Sequence, residues 1–171
     1  MTAWVLKCGF AVAAVVAALE FDGLAASPGF VWVVAAVGVV GILLSGFYSG
    51  SESGFYNLNL LRVHHRADQG NPSAKRLEAM AQRPQAFVAM TLVGVNVAVY
   101  VVTLFATKYA ARWVSEERTE LAVTLLLSPI LLVFAEVIPK TLYQLRPNAM
   151  MERSAWGCRA SMVIFKPFIW L

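Results

Sequence analysis

Three apolar runs, each close to the length of a bilayer crossing and joined by short polar connections, leave this chain few ways to fold. They cover residues 30 to about 55, 85–107 and 120–142, in a chain of 171 residues that is 59% hydrophobic and only 14% charged. A helix rises ~1.5 Å per residue, so about 20 residues span a ~30 Å hydrocarbon core. Long apolar blocks are unlike the short alternating segments of a membrane β-barrel. The expected class is therefore an all-α integral membrane protein. It has three core transmembrane helices, a helical belt beside the membrane, and no room for a separate catalytic domain.

Charge distribution orients the spans. Arg62, Arg66, Lys75, Arg76 and Arg83 outweigh Asp68 and Glu78 between the first two runs, and Lys140, Arg146, Arg153, Arg159 and Lys166 outweigh Glu152 after the third. Between the second and third, Lys108, Arg112 and Arg118 are balanced by Glu116, Glu117 and Glu120. The excess of Lys and Arg predicts a cytoplasmic loop 62–83 and a cytoplasmic C-terminal segment, in a multi-pass protein of the cell membrane, a bacterial inner membrane. Residues 1–29 form a separate apolar segment and outer linker. Residues 4–19 are apolar apart from Lys7, with Glu20 and Asp22 beyond, which suits either an additional helix or a signal segment cleaved near Gly23 and Ala25.

The most informative stretch is the first span, FVWVVAAVGVVGILLSGFYSGSESGFYN, which turns polar before it has left the membrane. Ser45 and Ser49 are four apart and share a helix face that Glu52 and Ser53 extend. Glu52 needs a partner, a proton or an exit to water. Gly46 and Gly50 are spaced to admit another backbone. Two readings stand: plain packing with serines bonded to their own helix, or an ion site.

Further along, LNLLRVHHR reads as an amphipathic helix, and Asn71 with Pro72 as the start of a short second one, SAKRLEAMAQ. His64 and His65 are adjacent, point different ways, and make a poor metal pair. In the second span Asn96 sits mid-run, where its amide needs a partner, and Gly94 admits close approach. The third span carries Ser128, Pro129, Glu136, Pro139 and Lys140. Pro129 predicts a kink and Pro139 a break beside a carboxylate, and Glu136 either binds an ion or pairs with Lys140. Residues 148–169 mix Trp156, Met162, Ile164, Phe165 and Phe168 with Arg153, Arg159 and Lys166, as an interfacial helix does. Cys8 and Cys158 read as small hydrophobes.

Collected, Ser45, Ser49, Asn96 and Glu136 form an all-oxygen set on three helices, suited to a hard cation rather than a soft metal. Neither a nucleophile with its base nor a nucleic-acid surface is evident, so an enzyme and a nucleic-acid partner are not expected.

SGSES at the end of the first span, Gly94-Val95-Asn96 in the second, GNPSAKRLEAM and RPQAF between them, and AEVIPKT ending the third resemble the membrane domain (DUF21) of the CNNM/CorC magnesium transporter family. The resemblance covers residues 30–171 and implies a homodimer in the lipid bilayer. It further implies a dehydrated Mg2+ held by Ser45, Ser49, Asn96 and Glu136, with Gly50 a neighbour, and export by alternating access with Na+ as a coupling ion. Glu52, Pro139 and Lys140 would then support the site. The alternatives are a non-transporting magnesium-binding or scaffold module and a carrier of another cation such as cobalt or sodium. The chain departs from the family pattern at Val95 and Val99, which weakens any accessory sodium site, and at Ala135, where Gly often precedes the glutamate. The CBS regulatory domain found in most members is absent from this sequence, read as either a truncation or a natural minimal form.

Overall fold

The computed structural model describes residues 29–113 and 116–166. The N-terminal apolar segment up to residue 28, Cys8 and residues 167–171 lie outside the described residues. The first run is helix α1 (Phe30–Tyr56), followed by α2 (Leu60–Asp68) and α3 (Pro72–Ala81). The second is α4 (Pro84–Ala110). The third is composite: α5 (Glu116–Ile130), a π-helical segment (Leu131–Val137) and α6 (Ile138–Leu145), after which α7 (Pro147–Ile164) closes the described chain.

Three helices are long and apolar enough to cross a membrane: Phe30–Tyr56, Pro84–Ala110 and Leu121–Leu145. Their outer surfaces carry Val39, Val40, Leu43, Leu125, Leu126, Leu132 and Phe134 exposed. Apolar surface of that extent is tolerated where the surroundings are lipid or another apolar chain. Only 11% of the third span's most apolar window is buried within the protomer, against 33% for the second, so the third helix has the most surface left for lipid or a second copy.

Glycine sets how closely the spans approach. On α1, Gly41 faces Ala98 and Val102 of α4, while Gly94 of α4 receives the ring of Tyr48. On another face of α1, Gly46, Gly50 and Gly54 form a stripe against Pro139 and Tyr143 of α6. A Cβ at Gly50 would lie 2.6 Å from the Tyr143 ring and 3.2 Å from the Pro139 carbonyl oxygen, so only a bare backbone fits.

The belt builds its own small core. Asn59 caps α2 by accepting from the Arg62 N–H, and Asn71 caps α3 by accepting from Ser73 and Ala74, with Pro72 in the first turn as its sequence predicts. Val63, Ala67, Ala74, Leu77 and Met80 then pack against Met151, Ala155 and Cys158 of α7. Phe55 at the end of α1 stacks on Phe87 at the start of α4, centroids 4.3 Å apart, and joins this core to the spans. Burial pushes the Cys158 thiol up to about 11, which makes it an unreactive packing group. α7 is tethered to the spans by two tyrosines: Tyr143 pairs with Ser154, and Tyr48 with Ser161 at 3.0 Å.

The histidines behave as a solvated face. His64 Nδ1 lies 2.6 Å from Glu78 Oε1 and its Nε2 3.7 Å from Asp68, and both carboxylates raise its pKa above 6.5, the Glu78 hydrogen bond most. Among the described residues no group of three His, Cys, Asp or Glu side chains is arranged for a metal.

Three outcomes are expected. Gly50→Ala should destabilise the fold by about 1–3 kcal/mol, lowering the thermal midpoint in detergent, because the added methyl meets backbone as well as a ring. Gly38→Ala, which adds a methyl in open space, should leave the midpoint unchanged or raise it. Since the folded pKa of His64 is raised, its contribution to stability is fully present below 6.5 and fades as pH rises through the folded value. An NMR titration should show that value falling back towards 6.5 in Glu78→Gln.

Candidate functional site

Several hydroxyls in the spans bond to their own helix. Ser51 donates to the Tyr48 carbonyl, Thr91 to Val88, Thr103 to Val99 and Thr141 to Val137. Ser45 and Ser49 do not: both are buried, 0% and 2% exposed, and neither Oγ has a hydrogen-bond partner. An unpaired buried hydroxyl costs about 1–3 kcal/mol, and for two on one face this weighs against a packing role alone.

Their position on α1 locates the gap. At ~100° per residue, Ser45 and Ser49 fall between the sector holding Gly41 and Tyr48, which meets α4, and the sector holding Gly46 and Gly50, which meets the third helix. The hydroxyls thus lie along the edge where all three spans converge.

The third helix offers an oxygen to the same edge. Within the π-helical segment the hydrogen-bond register slips by one, and the Ile138 N–H donates to the Val133 carbonyl, five residues back. The carbonyl of Phe134 would take its i+4 bond from Ile138, already committed to Val133, or its i+5 bond from residue 139, a proline with no N–H. Neither donor is directed to it. The same oxygen lies 3.7 Å from the Cβ position of Gly46, the residue that follows Ser45.

This corrects the expectation of a helix broken at Pro139. Backbone angles stay helical at Val137 (φ −64°, ψ −52°) and Ile138 (φ −61°, ψ −51°), and the wider turn accommodates the proline ring where an α-helical turn would clash. The polar gap expected at a break is supplied by one carbonyl within a continuous helix. Sequence reading missed Phe134 because its role is carried by its backbone. The available signal was a proline five residues ahead in a helix that also holds a carboxylate.

The other sequence-derived candidates are not brought to the serines. Asn96 is exposed, and its Nδ2 donates to the Leu92 carbonyl at 2.7 Å. Two residues from Gly94, it lies about 200° around α4 from the close contact with Tyr48. The Glu136 carboxylate is half-exposed, 3.9 Å from Lys140 Nζ in the i, i+4 pairing, and makes no hydrogen bond to either serine. Glu52 is half-buried one turn below Ser49, and Gly50 is occupied by the Tyr143 contact. The oxygens left without a partner at this edge are two hydroxyls and one carbonyl. An all-oxygen set of this kind suits a hard cation.

Comparison with known proteins agrees with this architecture. The chain is 34% identical to the UPF0053 inner membrane protein YfjD of Escherichia coli K12 over 128 residues, covering 75% of this chain and 30% of that protein. It is 29% identical to a UPF0053 protein of Haemophilus influenzae over 133 residues, 78% of this chain and 31% of the relative. A UPF0053 protein of Synechocystis is 27% identical over 139 residues, 81% of this chain and 40% of the relative. The chain thus spans between 30% and 40% of the length of these curated relatives. Residues 36–171 match the description "CNNM: Cyclin M transmembrane N-terminal domain", and the three spans with their helical belt belong to that family.

Proposed function

We propose that this domain moves Mg2+ across the membrane, exporting it by alternating access, with Ser45, Ser49 and the Phe134 carbonyl as the core of the ion's binding site. The observation that carries the reading is the pair of buried, unpartnered serine hydroxyls on α1, next in sequence to Gly46, whose Cβ position lies 3.7 Å from a backbone oxygen with no helical donor. Family membership supports a transport-related membrane module. Magnesium asks for about six oxygens at ~2.0 to 2.1 Å, so three resident oxygens leave positions for Glu136, Asn96 or retained water. Glu136 would neutralise the ion by exchanging Lys140 for it. Asn96 joins only if α4 turns about its axis or a second copy presents it, and that movement is the conformational change alternating access needs. A homodimer in an inner membrane, with the belt in the cytoplasm, agrees with the basic residues of the belt and with the inner-membrane description of the Escherichia coli relative. Coupling to Na+ entry belongs to the same proposal.

A second reading is favoured by one observation, the separation of Asn96 and Glu136 from the serines. In it the domain binds Mg2+ without carrying it, as a regulatory module or scaffold. Flux separates the two.

In proteoliposomes holding the purified chain, Mg2+ flux with and without an imposed Na+ gradient should fall in Glu136→Gln by more than the roughly tenfold cost of disturbing an outer-shell partner of a metal. Binding with no flux in either protein would establish the second reading. Ser45→Ala and Ser49→Ala provide an independent check. Without divalent cations each should raise the thermal midpoint, by an amount equivalent to about 1 kcal/mol, because an unpaired buried hydroxyl is removed. Each should also abolish the stabilisation that Mg2+ confers on the wild type. Unchanged stabilisation in both would exclude these hydroxyls as ligands.

A further inference from the structure

A second polar site lies in the belt, away from the cation edge. An open cavity of about 590 Å³ separates the start of α7 from α2 and the start of α3, lined by Arg62, Arg66, Arg153, Ser73, Asn148 and Glu152. Its charges do not cancel. Glu152, largely buried, is engaged by Arg66. Arg62 and Arg153 are exposed, and among the described residues neither has a carboxylate partner. Three guanidinium groups against one carboxylate leave a net charge of about +2 facing the cavity.

The neutral groups are biased the same way. α2 and α3 have asparagine caps on their first N–H groups, whereas α7, an 18-residue helix, begins at the cavity with no side-chain cap. The Oδ1 of Asn148 accepts from the Asn59 N–H at 3.2 Å, so what remains available on that amide is its donor end. Free donors and two unpaired arginines around one cavity match a ligand with several acceptor oxygens and negative charge.

The cavity's depth narrows the ligand further. Asn59 follows α1 by three residues and Asn148 follows α6 by three, so the bond between them lies where the first and third spans leave the bilayer. Leu61 and Trp156, 83% and 70% exposed, stand on the same helices as Arg62 and Arg153. Arginine beside exposed Trp and Leu at a span's exit is the composition of a headgroup-level surface.

We propose that this cavity binds a phosphate-bearing anion through Arg62, Arg153 and the uncapped start of α7, with Arg66 held in place by Glu152. The site is independent of the cation reading. The test is calorimetric titration of the purified full chain in a neutral detergent. The probes are dihexanoyl phosphatidylglycerol, dihexanoyl phosphatidylcholine and glycerol 3-phosphate, against wild type, the double variant Arg62→Gln/Arg153→Gln, and Lys75→Gln/Arg76→Gln. The last pair removes the same charge from outside the cavity, and thermal midpoints verify that all three proteins are folded.

Saturable binding of phosphatidylglycerol, tighter than of phosphatidylcholine and weakened roughly tenfold or more only by the cavity variant, is the expected result. If glycerol 3-phosphate binds as tightly and with the same dependence on Arg62 and Arg153, the natural ligand is a soluble phosphate compound rather than a lipid. Equal weakening in both double variants would reduce the effect to general charge attraction and overturn the site. So would the absence of saturable binding by every probe.

Discussion

Hydrocarbon gives no hydrogen bonds back, and that constraint organises the molecule. Each backbone or hydroxyl group within the three spans must be satisfied by its own helix, by a neighbour or by something bound. Ser51, Thr91, Thr103 and Thr141 take the first route, returning to a carbonyl three or four residues away, and Tyr48 and Tyr143 take the second. Among the described residues, the buried hydroxyls without a partner fall on one edge. Ser45 and Ser49 on α1 and the Phe134 carbonyl on the third helix are left open where the helices meet, and the local chemistry there is defined by what is missing. The π-helical register and Pro139 act together: the slip spends the Ile138 donor on Val133, and the proline removes the next one.

Close approach is the second requirement, because a lone carbonyl is useful to a ligand only if the opposing surface leaves room for it. The glycines at 46, 50 and 54 provide this, turning one face of α1 into bare backbone against Pro139 and Tyr143. The sequence spacing that suggested a helix contact is thus also what brings the open carbonyl close to Gly46, the neighbour of Ser45. Packing and site share residues, and a change at Gly46 affects both.

How far the molecule could be read from its residues depended on which part of each residue does the work. The spans, the belt, the Asn71 cap and the serine face were legible because side-chain type and period carry them. Phe134 was hidden because a carbonyl has no letter in a sequence. Asn96 shows the opposite problem: it is a polar residue in an apolar run, and the run could not say which face of α4 would be buried. Gly94, Ala98 and Val102 settle that by packing on α1, and Asn96 is carried to the other side. Glu136 was legible as a costly carboxylate. In the structure it lies half-exposed, 3.9 Å from Lys140.

The two tyrosine tethers have a mechanical consequence. Tyr48 belongs to the first span and Tyr143 to the third, yet both end on α7, at Ser161 and Ser154, about two turns apart along one face. α7 is therefore a crossbar fixed at two points to two different uprights. If either upright slides along the other, which the smooth glycine stripe between them does little to resist, the crossbar must tilt or one fastening must open. A sliding of one span past the other would in this way become a change of angle outside the hydrocarbon.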